Sequence, residues 1–160
     1  MEEKLIYFDG DKQPYNAPIP YAIATCTLEQ WIYYSQECNA DKWDIIDGVF
    51  KDITDTAEYI QKQEQKETER IAMLHMTGAD VERAIYKAFN KDFDDIKAEL
   101  EVAQIPNLDL KALNIELKAN EFYRGNNYIS AVGQFLGITE DKMTQFFETK
   151  DYKALMPTEV

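Results

Sequence analysis

Residues 42–53 read KWDIIDGVFKDI, two short apolar segments on either side of Asp47-Gly48. An Asp-Gly pair accepts the positive φ angles of a two-residue type I′ turn, whose twist matches that of the strands it joins. The sequence therefore predicts a β-hairpin with strands at 43–46 and 49–53. Directly after it the hydrophobic period changes. Thr54-Asp55 is a helix start, and a helix is predicted from Thr54 to about His75. Its middle, residues 61–70 (QKQEQKETER), is polar on every side, as in a solvated arm or a connector between parts. The switch from hairpin to polar helix gives the fold class: α+β, mainly α. A small N-terminal β-hairpin module (1–53) is joined by a long polar connecting helix (54–76) to a C-terminal bundle of about five short helices (77–160).

Upstream of the hairpin, residues 4–8 (KLIYF) form a short aromatic strand that ends at the turn signal Asp9-Gly10. Pro14, Pro18 and Pro20 forbid helix and suggest an extended crossing. Thr27 is a cap for a short helix carrying Trp31 and Tyr34, and the Ile23-Ala24-Thr25 run before it favours strand.

Downstream, helix signals recur. Thr77 and Asp80 make a capping-box-like pair. Asp92 caps a helix from 93 to about 104 that carries Ile96, Leu100 and Val102, and Pro106 closes that region. Asn107 or Asp109 opens a helix over 110–123, with Leu110, Leu113 and Leu117 on one face. Gly125 reads as the glycine that ends it. Asn126 or Asn127 caps 128–136, Gly137 terminates it, and Thr139 caps 141–148 with acids at its positive end. Beyond Asp151 only Tyr152, Leu155 and Met156 have surface to bury, so fraying is expected. Residues 78–100 align without gaps onto 125–147: Gly78 meets Gly125, Ala84 meets Ala131, and Asp94 meets Asp141. The pattern is that of a twice-used helical hairpin.

The composition limits the functions available. The chain has 160 residues, 45% apolar, with 10 Tyr, 8 Phe and 2 Trp, enough to build a core. Its formal charge is −13, from 17 basic and 30 acidic groups. Residues 1–80 hold 16 of the acids against 7 basic groups. Such a balance repels nucleic acid and anionic membranes. No N-terminal apolar run suggests a signal peptide, and no stretch is long enough for a membrane helix. Cys26 and Cys38 match no metal or redox spacing and are expected as two buried, reduced thiols of a cytoplasmic protein.

Catalytic signals are sparse. His75 is the single histidine, so a Ser-His or Cys-His mechanism would have to use it. It is expected as a packed or capping residue at a helix end. No glycine-rich phosphate loop exists. Asp92, Asp94, Asp95 and Glu99 resemble the start of a calcium loop, but the sixth and twelfth positions are Lys97 and Ala103 instead of Gly and Glu. Lys87, Lys91 and Lys97 approach a basic stripe interrupted by acids, and the acidic balance argues against a helix-turn-helix regulator. The expectation is a protein without catalytic, cofactor or metal residues.

Two longer stretches, 69–96 (ERIAMLHMTGADVERAIYKAFNKDFDDI) and 120–147 (NEFYRGNNYISAVGQFLGITEDKMTQFF), resemble segments of small proteins from phage and prophage tail modules. Residues 42–52 are similar to the Trp-Asp-Gly-aromatic hairpin of tail-fibre and tail-fibre-assembly proteins. The resemblance implies a tail-associated or tail-assembly role, structural or chaperone, in which the chain binds another phage protein. It implies no catalytic residues. The protein would work in the host cytoplasm or on the virion, and homo-oligomers are in keeping with that role. The alternative is an acidic phage inhibitor of host defence, of the anti-CRISPR or anti-restriction kind, which mimics nucleic acid and occupies a host nuclease. Candidate interface residues, where exposed, are the aromatics Tyr33, Tyr34, Trp43 and Phe50, which otherwise make the ordinary core of the small β module, followed by Tyr123 and Arg124.

Overall fold

The computed structural model describes residues 4–156. The architecture is α+β and mainly helical, with small antiparallel sheets. The chain divides into two compact units, Met1–Gln65 and Lys66–Val160.

In the first unit, β1 (Leu5–Phe8) is the middle strand of a three-stranded antiparallel sheet, flanked by β2 (Pro14–Tyr15) and β3 (Ala24–Thr27). Pro14, which has no N–H to give, sits on an edge strand, where none is required. The Asp9-Gly10 turn is closed by the Asp9 carboxylate, which accepts from the backbone N–H of Asp11 and Gln13, both at 2.9 Å. Alternation along β1 turns Ile6 and Phe8 inward, where they lie opposite Cys26 and Ala24 of β3. Thr27 then caps α1 (Leu28–Tyr34): its hydroxyl accepts from Gln30 N, and the Gln30 side chain accepts from Thr27 N, a complete capping box.

A 3₁₀ turn (Glu37–Asn39) leads to β4 (Trp43–Ile46) and β5 (Val49–Asp52), paired antiparallel about Asp47 and Gly48, whose φ angles are 54° and 75°. The expected type I′ hairpin is present. Phe8, Trp31, Trp43 and Phe50 form one aromatic cluster, with neighbouring ring centroids 4.9–5.7 Å apart. Such pairs add roughly 0.5–1.5 kcal/mol each beyond the area they bury. They make a small core without a long strand.

Helix α2 (Ala57–Ala72) buries none of its residues. It is shorter at both ends than the 54–75 expected. The Thr56 hydroxyl accepts from Tyr59 N at its start. At its end the backbone turns to pair elsewhere: the Ala72 and Leu74 carbonyls accept from Gly125 N and Arg124 N. Residues 75–77 therefore leave the helix and form β6 (His75–Thr77).

The second unit pairs β6 with β7 (Glu121–Tyr123), antiparallel, with Met76 opposite Phe122 and both buried. The predicted helix over 110–123 is thus two elements, α5 (Leu110–Glu116) and β7, since 121–123 pair with a distant strand. Each strand leads into two helices. After β6 come α3 (Gly78–Phe89) and α4 (Phe93–Ala103); after β7 come α6 (Asn127–Phe135) and α7 (Glu140–Thr149). The aligned positions agree in structure. Ile85 and Val132, Ile96 and Met143, and Leu100 and Phe147 are all buried. Asn90 and Gly137 both make the turn with positive φ, and Asp92 and Thr139 both cap the second helix.

Three further expectations are corrected. Gly125 is no left-handed helix end; a Cβ there would come within 2.8 Å of the Ala72 Cβ, so the glycine permits close packing. Val102 lies outside the core at 84% exposure, because α4 turns Ile96 and Leu100 inward and Val102 away from them. The segment after Asp151 does not fray within the described residues: Asp151 caps a 3₁₀ turn (Tyr152–Leu155), and Leu155 joins the core at 2% exposure.

Candidate functional site

The hairpin determines what the first unit offers to solvent. Strand alternation places neighbouring residues on opposite faces. Ile45 pairs with Phe50, and this face packs on Phe8 and Trp31; Ile46 pairs with Val49, and this face points out. Ile23, just before β3, donates its N–H to Phe8 O at 2.8 Å. Its carbonyl lies so near Gly48 that a Cβ there would approach it to 3.2 Å. Ile23 (43% exposed), Ile46 and Val49 (52%) are thus exposed apolar residues gathered near the turn, the apolar tip of the hairpin, and Tyr21 nearby in sequence is also exposed. Asp47 caps the tip with a charge.

The expected interface residues separate into three groups. Phe50 is buried and Trp43 half-buried in the aromatic cluster. They are core, the alternative to surface anchors that the sequence left open: a three-stranded sheet and a seven-residue helix have few other large side chains to exclude water. Tyr34 is half-buried; its ring packs on Phe50 and its hydroxyl donates to Asp52 at 2.5 Å. That hydrogen bond pushes the Tyr34 hydroxyl up to about 12. Asp52 is held below the usual carboxylate range by Thr54 first and by Tyr34 second. Tyr33 stays exposed, edge-on to Tyr34. In the second unit Tyr123 is exposed at the end of β7, with its ring 5.4 Å from that of His75.

Arg124 is not a helix-end cation open to a partner. It is 6% exposed and fully engaged. Its Nε donates to Thr144 Oγ1 and its Nη1 to Ser130 Oγ, each at 3.1 Å. Nη2 donates to the Glu140 carbonyl at 3.2 Å and to the Glu140 carboxylate. Arg124 thus ties β7 to α6 and α7.

His75 is a strand residue, exposed, with Nδ1 3.4 Å from Met73 O, not the helix-end residue expected. Cys26 is buried, and burial pushes its thiol up to about 11. Cys38 is exposed, which corrects the expectation of two buried thiols. Among the described residues no three His, Cys, Asp or Glu side chains gather as a metal would require, and no helix is long and apolar enough to cross a membrane.

Many carboxylates serve the fold itself. Asp9 closes its turn and accepts from Tyr15, and Asp44 pairs with Lys12. Asp92 and Asp95 make a capping box, Asp109 and Asp151 cap helical turns, and Glu116 accepts from Asn126.

The exposed residues that the sequence reading passed over are Ile23, Ile46 and Val49. A signal for two of them was present: of Ile45-Ile46 and of Val49-Phe50, neighbours along a strand, only one residue each can face inward. Comparison of the chain with protein families, curated proteins and solved structures finds no match.

Proposed function

We propose that the chain is a non-catalytic binding protein of a phage tail module, which docks another phage protein through the apolar tip of its N-terminal unit. The observation that carries this reading is the outward face of the hairpin, Ile46 and Val49 with Ile23 beside them. Exposed apolar residues gathered at one end of a unit are a feature of interaction sites. Residues 1–65 carry 13 acidic and 5 basic groups, so the partner surface that suits the tip is apolar with a basic rim. The phage context comes from the sequence resemblance, and in it the protein acts in the host cytoplasm or on the virion.

The inhibitor reading draws on the −13 charge. A mimic of nucleic acid needs a row of carboxylates free to face a basic channel. Here seven of the 30 acids, Asp9, Asp44, Asp52, Asp92, Asp109, Glu140 and Asp151, are engaged in turns, caps and pairs of the fold itself.

The test is a pull-down from phage-infected or induced host cells with tagged wild-type protein and an Ile46→Lys/Val49→Lys variant, read by mass spectrometry. Both positions are exposed, so unchanged thermal unfolding of the variant is the fold control. The proposal expects a tail protein captured by wild type and lost with the variant. Recovery of a host nuclease or its guide complex, or capture that ignores the substitutions, overturns it. A tail role also predicts self-association, visible as a size-exclusion mass above that of one chain.

A further inference from the structure

The second unit holds a concavity of unusual sign for so acidic a protein. Arg83 and Lys87 stand one turn apart on α3, and Lys150 is the C-terminal cap of α7. Together with Met76, Ala84 and Tyr152 they line an open cavity of about 360 Å³. Asp80 is the one carboxylate in the lining, and it is already used: it accepts from the Thr77 hydroxyl at 2.6 Å and from Arg83 at 2.8 Å. Among the described residues no carboxylate pairs with Lys87 or Lys150. The Lys87 ammonium lies instead 5.4 Å above the Tyr152 ring.

Two cations that no described carboxylate pairs, Lys87 of α3 and Lys150 at the end of α7, line one concavity beside the Arg83–Asp80 pair. Like charges brought together repel, and a bound anion relieves the repulsion. We propose that this groove binds a short carboxylate-rich segment of a partner protein. The aromatic wall decides between anions. The half-buried Tyr152 ring, standing over the buried Met76 and Ala84, offers surface to the methylenes of Glu side chains, which a bare phosphate cannot use. A nucleic-acid strand needs a basic track longer than one groove and would meet the negative surface of a −13 chain beyond it. A short acidic segment stays within the groove. The site shares no residue with the hairpin tip, so either proposal can fail while the other stands.

The experiment uses the full chain and a fluorescein-labelled hexaglutamate peptide, followed by fluorescence anisotropy at low and physiological salt. Lys87→Gln/Lys150→Gln is compared with Lys111→Gln/Lys118→Gln, which removes the same charge from exposed positions elsewhere. The groove variant should bind about tenfold more weakly and the control variant like wild type, with equal thermal unfolding of all three. Inorganic phosphate should displace the peptide only at concentrations where sodium chloride of equal ionic strength does so. Absence of binding, equal weakening in both variants, specific competition by phosphate, or tighter binding of a hexanucleotide would each overturn the proposal.

Discussion

Arg124, one residue past β7, reaches Glu140 at the first position of α7, and its Nη2 donates to both the carboxylate and the main-chain carbonyl of that residue. The two ends of the contact differ. The guanidinium is buried, and the Glu140 side chain is half exposed. Arg124→Met keeps apolar volume but abolishes every one of these hydrogen bonds. It should cost about 2–4 kcal/mol in urea unfolding. Glu140→Gln leaves the other acceptors of Arg124 in place and should cost only about 1 kcal/mol. The Arg124 hydrogen bond holds the Glu140 carboxyl below its ordinary value of 4.5. A carboxyl depressed in the folded state contributes stability above its unfolded value and loses it as pH falls through the folded one. The gap between wild type and Glu140→Gln should therefore close below pH 4.5, as urea midpoints across pH would show.

Tyr34 and Asp52 give the alkaline counterpart. The hydroxyl is raised to about 12 by its hydrogen bond to Asp52, from an ordinary 10.0. The contribution is full below pH 10 and is lost as pH rises toward 12. Tyr34→Phe should cost about 1 kcal/mol at neutral pH. It should also remove the highest-pH step from the phenolate absorbance titration.

Leu155 and Met156 are neighbours with opposite roles, one buried and one exposed. Leu155→Ala should destabilise by about 2–5 kcal/mol, as for other core leucines. Met156→Ala should stay within about 0.5 kcal/mol of wild type. Equal effects in chemical denaturation would show that the last 3₁₀ turn is not part of the core.

The two thiols should separate in a labelling experiment. Cys38 is exposed, whereas Cys26 is buried and pushed up to about 11. Native protein at pH 8 should react with a disulfide reagent such as DTNB at one equivalent, and the second should appear only on unfolding.

What the sequence disclosed follows the range of the interactions. Asp47-Gly48 sets its turn by its own φ preferences. Thr27, Thr77, Asp92, Asp109, Asn126 and Thr139 cap helices through hydrogen bonds spanning two or three residues. These features were legible because each is local. The pairing of His75–Thr77 with Glu121–Tyr123 was not. Three residues are too few to show a strand period, and the partner lies far along the chain, so 110–123 resembled one helix. The burial of Arg124 among Ser130, Glu140 and Thr144, and of Leu155 in the helical core, likewise depends on contacts outside their own segments. The site was legible only in part: the hairpin showed where a surface would be presented, but the aromatic residues that looked available were needed to fill a small core. The outward pair Ile46 and Val49 emerged once the register was known.

The division of the chain falls within α2, a helix that buries no residue. Helices this short draw most of their persistence from packing, and α2 has only partly buried side chains and surface pairs such as Arg70–Glu67 to hold it. Each unit is built on a core cluster of its own. Melting of the chain should therefore depart from a single all-or-none transition. Calorimetry would register a van't Hoff enthalpy smaller than the total heat absorbed, and amides in the middle of α2 should exchange with deuterium long before those of α3 or α7.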